Sequence, residues 1–312
     1  MVISKADDSE REKGKAALSS VLAAVVLTSF KIIVGLATGS LGILAEAAHS
    51  SLDLVAALVT FFAVRISGKP ADAEHRYGHG KVENLSALFE TFLLLVTCIW
   101  IIYEAILRLF FQNVAVEVSI WSFVVMGISI VIDFSRSRLL FRTARKYNSQ
   151  ALEADALHFS TDIWSSSVVI FGLICVTIGN FVPGLAFLEK ADAIAALGVA
   201  TIVVYVSVQL GIRTITGLLD VAPRGSVDQI KAGVEALPGV ANCHNVRVRT
   251  SGPHLFVDVH VLVDGDQTLF QAHALTETIE TKIKELLPTA DVIVHPEPAF
   301  TENNQLSQDK KP

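Results

Sequence analysis

Two short motifs put metal-binding side chains into apolar surroundings. AEAAHSSLD carries His49 and Asp53, and DALHFSTD carries His158 and Asp162. Each pair is spaced i, i+4, which sets both side chains on one face of a helix. A charge at the bilayer centre costs about 2.5–3.5 kcal/mol on insertion scales, so such residues in a span point to function. Together the pairs supply two imidazole nitrogens and two carboxylate oxygens, a complete tetrahedral set for Zn2+. Mixed nitrogen and oxygen ligands suit Zn2+ over Mg2+ or Ca2+ but do not exclude Mn2+, Fe2+, Co2+ or Cd2+. The competing reading of each pair is an interhelical hydrogen bond or a proton relay; two pairs at similar depth favour the metal. Asp155, one turn before His158, is a candidate support for that imidazole, but reads more simply as a residue near the cytoplasmic entrance. Lys31 and Glu90 are also polar at membrane depth, and snorkelling or an intrahelical contact is the expectation for both.

Two further groups fall outside the apolar runs. KPADAEHRYGHGKVEN places Asp72, His75 and His79 together, with Gly78 and Gly80 favouring a turn. The two imidazoles are i, i+4 with a carboxylate three residues earlier, a possible metal group whose competitor is a set of solvated loop histidines. The last quarter of the chain holds His244, His254, His260, His273 and His295. His244, His260 and His295 fall on three expected strands and His273 on an expected helix. They could meet at one edge of a sheet, with Glu297 following, in a histidine-and-carboxylate metal site. The alternative is unrelated surface histidines, which is how His254 is read.

The elements that hold these residues follow from composition. The chain has 312 residues, 52% hydrophobic and 18% charged, with mean hydropathy +0.52. Soluble domains carry about 25% charged residues. Six apolar stretches, roughly 16–38, 43–66, 85–110, 120–140, 154–178 and 191–219, are long enough to cross a bilayer. Asp133, Arg136 and Arg138 interrupt the fourth, whose charged half should leave the membrane as a continuing helix. The net charge of −6 argues against nucleic-acid binding, which usually needs a basic face. Cys98, Cys175 and Cys243 have no CxxC spacing and support neither a disulfide framework nor a thiolate metal site. Lys and Arg cluster at residues 5–15, 65–81 and 136–146, while the other connections offer only Arg108 and Lys190. The positive-inside rule therefore sets both termini in the cytoplasm, and SKADDSEREKGK reads as a retained cytoplasmic tail rather than a signal peptide. Beyond Asp220 the periodicity changes. A Ser-capped helix over 226–237, strands over 244–250 and 255–263, a helix over 268–287 and a strand over 290–295 predict a two-layer αββαβ domain. The expected division is a tail at 1–15, a six-helix membrane domain at 16–219, the small domain at 220–298 and a disordered tail at 299–312.

These residues closely resemble the cation diffusion facilitator family over about residues 15–298. HSSLD (49–53), PADAEHRYGHGKVE (70–83), ADALHFSTD (154–162), LLDVAP (218–223), QAH (271–273) and DVIVHPE (291–297) carry the resemblance jointly. It implies six transmembrane helices plus a cytoplasmic α+β ferredoxin-like domain, a homodimer in the inner (plasma) membrane, and no enzymatic activity. It also implies efflux of divalent metal, usually Zn2+, driven by proton influx. Carried over by position, the transport site is His49, Asp53, His158 and Asp162, and the loop site is Asp72, His75 and His79. The resemblance makes His244, His260, His273, His295 and Glu297 a binuclear site that would hold zinc as a structural or regulatory ion. Lys81 and Asp220 match positions of a charge interlock near the dimer interface. His49 stands where some bacterial members have Asp, which resembles the zinc-selective branch; Glu297 stands where an Asp is common.

The mechanism expected from these readings is a Zn2+/proton antiporter. Metal needs neutral His and ionised Asp, so binding releases protons and protonation releases metal. Exporting a divalent ion against 100 mV, inside negative, costs roughly 4.6 kcal/mol, and one incoming proton offsets half of that. Histidine, ordinarily titrating near pH 6.5, is the expected carrier. Other readings are export of Fe2+, Mn2+, Cd2+ or Co2+, or a membrane metal sensor. An intramembrane metallo-hydrolase would need an open metal position and a general base as in HExxH, and no such motif is present.

Overall fold

The computed structural model describes residues 2–110, 120–181 and 191–299. Of the disordered tail expected at 299–312, residues 300–312 lie outside these residues, as does Lys190. The chain forms two compact units that part between Ile215 and Thr216.

The first unit holds α1 (Val2–Thr38), α2 (Leu41–Ser67), α3 (Lys81–Phe110), α4 (Ile120–Tyr147), α5 (Gln150–Phe181) and most of α6 (Ala191–Leu218). Four of these, α1, α2, α3 and α6, are long and apolar enough among the described residues to cross a membrane. The mixed-charge segment before the first apolar run, read above as a tail, is helical and continues into α1 without a break. The fourth apolar run does continue as helix through Arg136 and Arg138 to Tyr147.

Two tight hairpins organise the bundle. Gly39, at φ +67°, turns α1 into α2 in a region that penalises any side chain. Ser40 then caps α2 by accepting from the Ile43 amide at 3.4 Å. Gly35 lets the two helices close up, since a Cβ there would stand 2.8 Å from Leu44 Cδ2. Asn148, at φ +50°, turns α4 into α5, and Ser149 returns its amide to the Ala144 carbonyl at 3.0 Å. The α4–α5 pair is tied by the Ser137 hydroxyl on the Ala156 carbonyl at 3.0 Å. Arg136 adds a guanidinium 5.2 Å over the Phe159 ring. Ala87, Ala154 and Leu210 pack α3, α5 and α6 against one another.

The second unit is α7 (Ser226–Glu235), β1 (Val240–Ser251), β2 (His254–Asp264), α8 (Leu269–Leu286) and β3 (Ala290–Ala299), the expected αββαβ order. The sheet order is β1-β2-β3. β1 and β2 are antiparallel; β2 and β3 are parallel, so α8 must be the crossover between them. Ile230 and Val234 of α7 and Ile279 and Ile283 of α8 are buried against Val257, Val259, Val261 and Val263. Odd positions of β2 thus face the helices and even positions face away, the period-2 pleat of a half-covered strand. The Ser cap expected for α7 is corrected: Gly225 holds the N-cap position without a side-chain bond, and Ser226 instead donates to the Pro223 carbonyl at 2.7 Å. A full capping box between Thr268 and Gln271 starts α8.

Candidate metal centre

α2 and α5 bring His49, Asp53, His158 and Asp162 together. His158 Nε2 lies 2.9 Å from Asp53 Oδ1 and 3.7 Å from Asp162 Oδ2. His49 Nε2 lies 3.9 Å from Asp53 Oδ1 and 3.7 Å from Asp162 Oδ1. Nitrogen and oxygen therefore alternate around a ring. A tetrahedral ion with bonds of about 2.0–2.2 Å needs all its donors about 3.3–3.6 Å apart; the four nitrogen–oxygen edges of the ring bracket that spacing, while His49 stands outside the mutually close group. Asp53, His158 and Asp162 form the tighter part, with one donor atom from each within 4.8 Å of the others. His49 is the rim residue, its side chain 37% exposed against 6% for His158.

The ring borders a cavity of about 30 Å3, room for a water-sized body. Ala24, Leu27, Phe159, Ser165 and Ser166 also line it, with Lys31, Glu46, Ser50 and Asp133. Lys31 does not snorkel: it is buried, 2.8 Å from Ser50 Oγ and 3.2 Å from Glu46 Oε2 on α2. Thr28 adds a bond to the Ser50 carbonyl at 2.9 Å. Glu90 is likewise interhelical, accepting from Thr60. Asp155 is fully buried one turn before His158.

The loop after α2 gathers its three residues. Asp72 Oδ1 accepts from the amides of Glu74 at 2.9 Å and His75 at 2.6 Å. His75 Nδ1 then stands 3.4 Å from Asp72 Oδ1 and His79 Nε2 3.3 Å from Asp72 Oδ2. The His75 amide, with lesser help from the Glu74 amide and both imidazoles, holds the Asp72 carboxyl below its ordinary pKa.

In the second unit His244, His260 and His295 sit directly opposite one another across the three strands. They do not meet at a sheet edge, as their strands alone suggest, but form a row across the face that the helices leave open. Even positions of β2 face that side, which is why His260 is there. A register shift between His244 and Arg247, with Asn245 at φ +48°, bulges β1 and sets Asn245 Nδ2 3.1 Å from His260 Nε2. Glu297, one pleat beyond His295, lies 2.7 Å from His260 Nδ1, 3.3 Å from His244 Nε2 and 3.8 Å from His295 Nε2. Its hydrogen bond to His260, aided by the charges of the other imidazoles, holds its carboxyl below the ordinary pKa. His273 stands apart from the group formed by His244, His260 and Glu297. It lies on α8, which packs on the other face of the sheet, and its Nε2 is 3.7 Å from Glu277. His254 begins β2 and is exposed.

The polar residues beside the ring that the sequence does not point to are Lys31, Glu46 and Asp133. One signal could have found Lys31: an ammonium inside an apolar run demands a partner.

Apolar helices enclosing a ring of two imidazoles and two carboxylates define a membrane protein that handles divalent metal ions. The chain belongs to the cation efflux family, the cation diffusion facilitators. Residues 17–219 match the family's "Cation efflux transmembrane domain" and residues 222–299 its "Cation efflux protein, cytoplasmic domain". The chain is similar to the cation-efflux pump FieF of Cronobacter sakazakii, 32% identical and covering 93% of this chain and 94% of that one. FieF of Salmonella arizonae is 31% identical, covering 91% and 92%. Among solved structures, a CzrB chain is 26% identical, covering 25% of this chain and 98% of that one at a TM-score of 0.24. A nickel form of the MamM CTD is 22% identical, covering 25% and 100% at 0.24.

Proposed function

We propose that this protein exports Zn2+ from the cytoplasm in exchange for protons, by alternating access in a homodimer. The observation that carries the reading is the alternating ring of His49, Asp53, His158 and Asp162, whose neighbouring nitrogen–oxygen distances bracket those around a tetrahedral ion. Two of its four donors are imidazoles, which favours Zn2+ over cations that prefer oxygen alone. Relatives named cation-efflux pumps that match along nearly the whole chain support export. In this reading all six long helices span the inner membrane, with both termini and the small domain cytoplasmic. The membrane domain is 16–219, the ferredoxin-like domain 220–298, and flanking segments lie at 1–15 and 299–312. Proton coupling follows from the ligands: the histidines bind metal only when neutral, so protons and metal compete for the same atoms. The test is zinc flux into sealed vesicles under an imposed pH gradient. Flux that tracks the gradient supports the proposal; zinc binding without flux refutes it.

Asp72, His75 and His79 would form a loop site. His244, His260, His295 and Glu297 would form the regulatory site, and His273 would be supplied across a dimer axis by a second copy. A double variant, His260→Ala with His295→Ala, is expected to bind fewer zinc ions per chain and to retain flux. The zinc concentration for half-maximal rate should rise at least about three-fold, as expected if binding there favours the active arrangement. Equilibrium dialysis and vesicle flux measure the two quantities. Unaltered zinc dependence would remove the regulatory role.

A further inference from the structure

We propose that Glu83 is the latch that closes the metal path at the end of the bundle carrying the His-rich loop. Its carboxylate is completely buried and accepts from three other segments. Lys13 Nζ of α1 and Ser67 Oγ of α2 each lie 2.9 Å from Glu83 Oε1. Ser149, the residue just before α5, donates to Oε2. One side chain of α3 thus ties α1 and both helices that carry ring ligands. Asn84 adds a bond from the next position to Gln150 Oε1 at 2.9 Å.

The placement of this hub gives it a direction. It joins the start of α3 and α5 to the end of α2, so it marks one end of the bundle. The cavity beside the ring extends the other way. Glu46 precedes His49 on a helix that runs toward the hub, and Ser165 and Ser166 follow Asp162 on a helix that runs away from it. Between ring and hub, Ala56, Ala57, Ala87, Ala151 and Ala154 are all buried, together with the polar side chains of Thr60, Glu90 and Asp155. The ring thus has its cavity and its exposed corner, His49, on the far side, and buried residues between it and the hub.

A buried carboxylate stripped of its partners is strongly unfavourable, and water is the substitute for them. The hub is accordingly satisfied in two arrangements: dry and bonded, or parted and hydrated. Parting it frees α2 and α5 to separate at this end, which is what a metal ion approaching from the loop side requires. The latch rests on the reading of the bundle as a metal path.

The test uses the full chain in sealed vesicles with Cys98, Cys175 and Cys243 replaced by Ala and with Ala57→Cys as reporter. Ala57 lies one turn past Asp53 toward Ser67 and is completely buried. A membrane-impermeant maleimide is applied to one face at a time. Adding Glu83→Gln or Lys13→Met should speed labelling from the loop side about ten-fold, the shift expected on losing a bond to a charged group. Labelling from the opposite face should be unchanged. Ser149→Ala, a milder change that keeps the Lys13–Glu83 pair, should give a smaller increase from the same side. Unchanged labelling in all three variants, or an equal rise from both faces, overturns the latch. Zinc flux of the parent chain is measured alongside. A one-sided labelling shift in a chain that moves no zinc leaves the latch standing and removes the transport reading; zinc flux without the shift does the reverse.

Discussion

Zinc flux in vesicles bearing Asp162→Ala or Asp53→Ala is expected to fall to less than about a hundredth of the parent rate. Partners that merely orient a ligand are worth about 10–100-fold in metal affinity, and these residues are the ligands themselves. Asp162 Oδ1 and Oδ2 face His49 and His158 at 3.7 Å each, so its loss opens two sides of the ring at once. Asp53 Oδ1 likewise serves both imidazoles. The folded chain should survive, because the small domain and the Glu83 hub do not involve these carboxylates; thermal melting in detergent checks this. Flux at parent levels in either variant would remove the ring from the transport path.

His49→Asp should change which metal is carried. The substitution replaces a borderline nitrogen with a hard oxygen at the most exposed corner of the ring. It also adds a carboxylate beside Asp53, Asp162 and Asp133 in the same cavity. The ratio of Zn2+ to Mn2+ transport, measured by competition in one vesicle preparation, should drop about ten-fold, equivalent to about 1.4 kcal/mol. An unchanged ratio would show that selectivity is set elsewhere.

Both predictions concern residues that were legible in the sequence, and the reason is local. An i, i+4 spacing is a property of a single helix, and polar pairs in an apolar run stand out without knowledge of packing. The same holds for His244, His260 and His295. Each falls in the outward phase of an alternating strand, so three strands in register line them up. Their arrangement as a row across the face depended on register and on the bulge at Asn245, which strand alternation alone does not fix.

What stayed hidden was tertiary. Lys31 finds Glu46 and Ser50 across the first hairpin, and Glu83 finds Lys13 70 residues earlier in the chain. Such pairs leave no periodic trace. From its mixed charges the segment around Lys13 reads as a cytoplasmic tail. In the structure Lys13 is buried beside Glu83. His273 was grouped with the strand histidines because a list of histidines carries no layer information, whereas the core valines of β2 set α8 on the opposite face. The Ser226 cap failed for a smaller reason: Gly225 already takes the left-handed turn into α7, and the hydroxyl closes the preceding loop instead.

Zinc X-ray absorption tests the ring as a four-donor zinc site most directly. The chain to use is one in which the loop and small-domain donors are removed by Asp72→Ala, His75→Ala, His79→Ala, His244→Ala, His260→Ala, His273→Ala, His295→Ala and Glu297→Ala. The predicted result is one zinc ion per chain with four nitrogen or oxygen neighbours at about 2.0–2.2 Å, two of them imidazole, and loss of that ion on adding Asp162→Ala. A six-coordinate, water-rich shell, or zinc that remains bound without Asp162, would contradict it.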